Sequence, residues 1–351
     1  MKAKKYKNTG NQGFFDCQDT QVRLENIGNP LERLKSAIDF EMFREKLESW
    51  FFKQERKNNA GAKPYDVVMM FKILILQRFY SLGDSQVEYQ ILDRSSFKDF
   101  LGLASGDKVP DEKTIWAFRE RLTKDGVIEE IFNDFNAFLN NNGLIMNEGK
   151  MVDASFVVTP RQRNTREENK QIKGGKGNEL WNDKPNKKRH KDIDGRWTKK
   201  NGEKFYGYKN HAKVDTKSKF INRFKVTDAS VHDSQPLDAL LDEQDAGQEF
   251  YADSAYTGKE QEAVIKKHKV KNKVNEKGYR NKPLTEEQKV NNREKSKIRS
   301  RVEHVFGFME QSMNGLMIRS IGIVRATGII GLINLTYNLC RYEQIVRLGM
   351  K

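Results

Sequence analysis

Asp153 sits inside an apolar run, KMVDASFVV (150–158). As a strand, this run sets Met151, Asp153, Ser155 and Val157 on one face and Val152, Ala154, Phe156 and Val158 on the other. An ionised carboxylate there is costly unless it is paired, hydrogen-bonded or bound to a metal ion. Asp253 repeats the anomaly at the C-terminal end of a second apolar segment, EFYADSA (249–255). The C-terminal ends of parallel strands are where α/β sheets carry their sites. A third acid, Glu303, lies in KIRSRVEHVFGFMEQ (297–311), where Ile298, Val302, Val305, Phe306 and Met309 form one helical stripe. Glu303 falls on the shoulder of that stripe, one turn after Arg299. Three carboxylates suit phosphodiester cleavage, in which a water must be activated and a leaving oxygen stabilised. Two Mg²⁺ ions about 3.5–4 Å apart do both, and they prefer hard oxygen ligands. Plainer readings exist: a hydrogen-bonded structural Asp in each strand, and a surface ion pair for Glu303 with Arg299.

The charge distribution adds a substrate class. The chain of 351 residues has a formal net charge of +15. Residues 161–200 hold 14 Lys/Arg and 6 Asp/Glu, and residues 266–301 hold 14 and 4, so these two windows exceed the charge of the whole chain. Such clustering favours a polyanion, nucleic acid before an anionic membrane. Two cysteines, Cys17 and Cys340, exclude a disulfide framework and a Cys-rich zinc module. The apolar stretches Val67–Leu76 and Gly328–Leu339 fall short of a membrane span, and no signal-peptide core follows the basic N-terminus. The expected location is cytoplasmic, with no membrane partner.

Elements that could position these acids follow from periodicity. Residues 1–20 read as irregular, within a basic arm over 1–30. From 31 to 145 the pattern is helical. Leu31, Leu34, Ile38 and Met42 mark one amphipathic helix, and Pro64 can open the next, Tyr65–Leu82. Asp84 or Ser85 can cap a helix through Leu92; Asp111 precedes another; Val127–Asn141 is the last. Near Gly149 the character changes. Strands are expected at 150–158, 205–214, 220–227, 249–255 and 270–274, with helices at 235–241, 260–267, 296–312 and 328–347. Residues 160–203 read as a long polar insertion. Asp233 reads as a capping acid. Three antiparallel strands followed by alternating helices and strands form an α/β pattern in the ribonuclease-H-like order, a mixed five-stranded sheet with flanking helices, preceded by an all-helical domain.

At these residues the chain resembles the DDE transposases of bacterial insertion sequences, specifically the insertion sequence 5 family. The blocks that carry the resemblance are VDAS (152–155), FYGYKNHAKVD (205–215), TDASVHDSQ (227–235), YADSAYTG (251–258) and RSRVEHVFG (299–307), with DEKTIWAFRERL (111–122) in the helical half. The resemblance implies a ribonuclease-H-like catalytic domain over 150–345, with Asp153, Asp253 and Glu303 as catalytic metal ligands. It also implies a helical DNA-binding or dimerisation domain over 31–145. Two Mg²⁺ ions, with Mn²⁺ as a substitute, would support hydrolysis at element ends and joining of 3′-hydroxyl ends to target DNA. The implied partners are terminal inverted repeats, target DNA and a second copy of the chain. Arg299 matches the arginine of the family's Tyr-Arg-Glu-Lys signature, whereas Ser296 and Glu310 replace its tyrosine and lysine. Arg299, Lys295, Lys297 and Arg301 are candidate DNA contacts, with Lys209 and His211 behind them. A non-catalytic DNA-binding descendant and a nuclease without strand transfer are the alternatives.

Overall fold

A computed structural model describes residues 13–53, 63–200, 202–280 and 282–349. The N-terminal part is helical: α1 (Asp16–Ile27), α2 (Pro30–Ala37), α3 (Arg44–Phe51), α4 (Val67–Phe79), α5 (Asp84–Asp93), α6 (Ser95–Leu101), α7 (Glu112–Lys124) and α8 (Val127–Asn141). α1 starts inside the segment expected to be irregular; residues 1–12 of the arm lie outside the described residues. Pro64 precedes α4 and does not open it. Asp66 caps that helix, its Oδ1 accepting from the Val68 and Met69 amides at 3.0 and 2.9 Å. Asp84 does not cap α5 either. Gly83 is the cap residue, Gln86 reaches back to the Gly83 amide, and the Asp84 carboxylate is held by Arg119 and Gln77. Asp111 caps α7, accepting from the Thr114 amide at 2.8 Å.

One sheet of six strands follows, one more than the sequence suggests. β1 (Gly149–Val158) leads into residues that form two short helices, α9 (Arg166–Lys173) and α10 (Pro185–Arg189), and then β2 (Arg196–Lys200). This segment is therefore not a plain loop: β2 pairs antiparallel with the first half of β3 (Glu203–Asp215). β4 (Ile221–Asp228) pairs with the rest of that edge of β3. β1 lies antiparallel on the opposite edge of β3 and parallel to β5 (Glu249–Tyr251), with Met151 opposite Tyr251. A short helix, α11 (Leu237–Leu240), precedes β5. After α12 (Lys259–Lys267), a two-residue β6 (Lys271–Asn272) extends the sheet beyond β5, giving the order β2-β3-β1-β5-β6. β5 and β6 are shorter than expected, and Asp253 falls just past the end of its strand.

The helix expected at 296–312 is two helices, α13 (Glu286–Arg299) and α14 (Arg301–Gln311), which meet at Ser300. The last helix, α15 (Ile323–Leu348), has 26 residues and is long and apolar enough to cross a bilayer by length and composition. It is instead the central core helix. It packs against α2, α4, α7, α8 and β4, most of it buried. Two buried amides set its register. Asn334 exchanges hydrogen bonds with Asn210 of β3, and Asn338 bonds both the amide and the carbonyl of Ile221 in β4. One apolar core thus runs from Leu31 through α4 and α8 to α15 and one face of β1, so the N-terminal helices and the sheet share it. The other face of β1 carries Val152 into a second cluster with Leu237, Leu240, Phe250 and Tyr256.

Close approach of α15 depends on glycine. A Cβ on Gly328 would lie 2.5 Å from the Thr123 side chain of α7, and one on Gly331 would lie 3.1 Å from Ile128 and Phe224. Gly328→Val is therefore expected to overpack this seam at a cost of about 1–3 kcal/mol. Urea denaturation measures it. Adding Thr123→Ala should recover part of the loss, and strictly additive losses would show that the two positions do not compete for space.

Candidate active site

Each acid is delivered by a different element. Asp153 is on β1, on the same face as Met151. Met151 pairs with Tyr251 in the parallel register, and each aspartate lies two residues further on, Asp153 within β1 and Asp253 just past the end of β5. The Asp253 Oδ1 accepts from the Ala255 amide at 2.8 Å and so caps the short turn Ser254–Tyr256. Asp153 accepts from the Ala154 amide at 2.8 Å. α14 packs on β1 through Val302, Val305 and Met309, all buried, and its first turn carries Glu303 to the rim.

Arg299, the last residue of α13, links this rim to the strand. Its Nη1 is 3.3 Å from Asp153 Oδ2, and its Nη2 donates to Glu303 Oε1 at 2.9 Å. The guanidinium thus lies between two of the three acids, and its Nε is buried with no partner. The ion pair of Arg299 with Glu303 is present, but it reaches through the same side chain to Asp153 in β1. Among the described residues, no three His, Cys, Asp or Glu side chains stand together as a ready-made metal centre. Asp153 and Asp253 are near enough to interact; Glu303 is one guanidinium away.

Electrostatics single out Asp153. Burial pushes its carboxyl up to about 6, and the negative charge of Asp253 adds to this. The Ala154 amide, Arg299 and Lys200 pull the other way. Asp253 forms no salt bridge among the described residues. A desolvated aspartate beside a second, unpaired aspartate is a hard-oxygen donor pair short of positive charge. That donor chemistry fits a divalent cation such as Mg²⁺. Tyr256, buried and within reach of both aspartates' charge, holds a hydroxyl with no partner; burial and the nearby carboxylates push it well above its ordinary range. Sequence reasoning passed over Tyr256, although it lies in the same block as Asp253. It also passed over Lys200, which β2 brings close enough for its charge to act on Asp153.

The expected DNA contacts divide. Lys209 and His211 are buried and do not reach the surface. Both faces of β3 are covered, so Lys209 turns inward and donates to Val231 O and Asp233 Oδ1, each at 2.7 Å. Asp233 is thereby a partner for Lys209 and not a helix cap. His211 Nε2 meets Thr227 Oγ1 at 2.8 Å. Lys295 is largely covered, tied to Val274 O at 3.2 Å and near Glu276. Lys297 and Arg301 are exposed. Lys297 pairs with Glu294, and Arg301 donates to Thr216 O at 3.0 Å. Ser296 accepts from Asn275 at 3.0 Å.

His211 also makes stability pH-dependent. Burial pushes it down to about 4, against an opposing attraction from Asp233. The unfolded chain takes up a proton near pH 6.5 that the folded chain refuses until about pH 4. Stability is thus present above the unfolded value and is lost as pH falls through this window, by up to about 3 kcal/mol. Denaturant midpoints at pH 7 and 4.5 should fall further in the wild type than in His211→Gln; equal losses would remove His211 as the cause.

Comparison with known proteins gives a family. A family profile described as a transposase DDE domain matches residues 148–339, over half of the chain. A second, described as a transposase domain, matches residues 19–121. Among solved structures, the chain is similar to the cryo-EM structure of a piggyBac transposase synaptic complex with hairpin DNA. The identity is 12%, the match covers 94% of this chain and 78% of that one, and the TM-score is 0.42.

Proposed function

The chain belongs to the transposases with a DDE domain, and from that premise we propose that it cuts DNA at the ends of its element and joins the freed 3′-hydroxyls to target DNA. The observation that carries this reading is the placement of Asp153 in β1 and Asp253 just past the parallel β5, each two residues beyond the Met151–Tyr251 pair, with Arg299 linking Asp153 to Glu303. In this reading the sheet with its helices is a ribonuclease-H-like catalytic domain, and the chain is an insertion sequence 5 relative acting in the cytoplasm as a dimer on paired ends.

Asp153, Asp253 and Glu303 would hold the divalent ions. When bound, these ions activate the attacking oxygen and stabilise the leaving one. The protein's own residues do the rest. β1 and the end of β5 fix the spacing of the aspartates, and the partial burial of Asp153 reduces screening by bulk water. Arg299 holds Glu303 at the rim until metal binds, and it places a planar cation where a phosphate oxygen would approach. Lys200 adds a second positive charge from β2. The exposed basic side chains of the 161–200 and 266–301 segments would neutralise the DNA backbone. Water adds to phosphorus as the 3′ oxygen leaves; in the second step a 3′-hydroxyl adds to a target phosphorus and displaces a target 3′ oxygen.

Given a plasmid carrying its coding segment with the flanking DNA, the purified protein should nick at the element boundaries in Mg²⁺ or Mn²⁺ and stop in EDTA. Joined products in a second plasmid would separate transposition from nuclease action alone. The other reading is a DNA-binding descendant without catalysis, favoured by the guanidinium that separates Glu303 from the aspartates; binding to the boundaries with no nicking in either metal would establish it.

A further inference from the structure

Two cavities meet at the end of β1. One, about 480 Å³, begins at Ala154, the residue after Asp153, and is lined by Ser155, Phe156, Lys200, Glu310 and Met317 as well. The other, about 690 Å³, lies between the N-terminal helices and the segment before α15, and Met317 lines it too. Met317 is held in place by its neighbours. The Val158 amide donates to Leu316 O at 2.9 Å, and the Ile318 amide donates to Val158 O at 3.0 Å. A strand passing the acids could therefore continue over Met317 into the second cavity.

That second cavity is rich in arginine. Arg78, Arg119, Arg319 and Arg325 line it, against the carboxylates of Asp84 and Glu112. Arg119 is committed to Asp84, and Arg325 to Glu120 at 2.7 Å. Among the described residues, Arg78 has no carboxylate partner. It donates only to Leu82 O at 3.2 Å, and its buried Nε has no partner. Burial pushes Arg78 down to about 10, the neighbouring Arg119 adding to this and the Asp84 charge opposing it. Arg319 is exposed and likewise forms no salt bridge among the described residues. Trp116 and Met317, 47% and 49% exposed, give the cavity an apolar wall. Unpaired guanidinia facing an aromatic and a thioether make a site for one phosphate with a flat ring attached. The volume is in the range of small-ligand sites.

We propose that this cleft holds one nucleotide of the DNA strand that runs past the three acids. Arg78 and Arg319 bind its phosphodiester, and its base stacks on Trp116 against Met317. The proposal rests on the DNA-processing reading above. An unpaired nucleotide fits it, since a paired base cannot offer its faces to a side chain.

Fluorescence anisotropy on the full chain tests it, with a mixed-sequence duplex either blunt or carrying a single-stranded 3′ extension of a few nucleotides. The wild type should bind the extended duplex about tenfold tighter than the blunt one. Trp116→Ala and Arg319→Gln, both at exposed positions, should each cut that ratio to about twofold, and Arg319→Gln should lower the salt slope by about one. Lys108→Gln, exposed and outside the cleft, should keep the full ratio. A wild type without preference for the extension, or cleft variants that keep the full ratio, would overturn the cleft while duplex binding still supports the DNA reading. No binding to either duplex would instead defeat the DNA reading itself.

Discussion

Asp153→Asn is expected to abolish DNA cleavage while leaving DNA binding and the fold intact. The asparagine keeps the shape and retains an oxygen for the Ala154 amide. It removes the charge that a divalent ion needs, and it does so at the donor shared by the strand pair and by Arg299. Loss of a principal ligand should lower the cleavage rate by at least about 10³-fold, close to 4 kcal/mol in the barrier. The same change should not destabilise the metal-free protein. Burial already raises the Asp153 carboxyl to about 6, so its ionised form opposes folding at neutral pH. The sign is the reverse of the usual paired carboxylate: the folded form favours the proton, and neutralising the group relieves a cost. A variant equal or higher in thermal midpoint, binding DNA as before and inactive in Mg²⁺ and Mn²⁺, is the expected outcome. Cleavage within about tenfold of the wild type would remove Asp153 from the chemistry.

The largest stability effect should come from Asp215→Ala. Asp215 is completely buried at the end of β3. Its carboxylate accepts from Lys150 Nζ at 3.3 Å, the Asn147 amide at 3.0 Å, and the amide and hydroxyl of Ser218 at 2.9 and 2.8 Å. Lys150 is 2% exposed and would keep only the Asn147 and Asn222 side chains as neutral partners. Removing one member of a buried pair leaves the other charge uncompensated and costs about 3–5 kcal/mol. Asp215→Asn should cost less, because its one remaining oxygen can still accept from the Ser218 amide and hydroxyl. Urea denaturation at pH 7 measures both; a loss under about 1 kcal/mol in the alanine variant would mean that water or rearrangement rescues Lys150. The pair lies at the β1–β3 junction, so its failure should also disturb the strand that carries Asp153.

That Asp153 and Asp253 come close together was legible in the sequence because an acid in an apolar segment is expensive, and the expense is visible in one dimension. The start of α7 after Asp111 and the extent of α8 were legible from local apolar periodicity. The link from Arg299 to Asp153 was not, because it joins residues 146 apart in sequence; only the turn-related contact to Glu303 could be read from spacing. Lys209 could be read equally as a DNA contact or as a structural pair, because a lysine in a strand normally points to solvent. In β3 both faces are covered, and Asp233 waits inside to receive it. The segment 160–203 hid β2 because a five-residue edge strand with three basic residues shows little apolar alternation, yet its pairing with β3 brings Lys200 toward the acids. Ser300 was hidden inside an unbroken helical stripe. The break there lets Arg299 end one helix while Glu303, the third carboxylate, sits in the first turn of the next.

Diffraction from crystals grown with Mn²⁺ and a duplex carrying the element boundary, with data collected at the manganese absorption edge, is the most direct test. The account predicts anomalous density between the Asp153 and Asp253 carboxylates, with Glu303 released from Arg299 and turned toward the metal. Ordered boundary DNA with no manganese at the aspartates, and with Glu303 still held by Arg299, would contradict it.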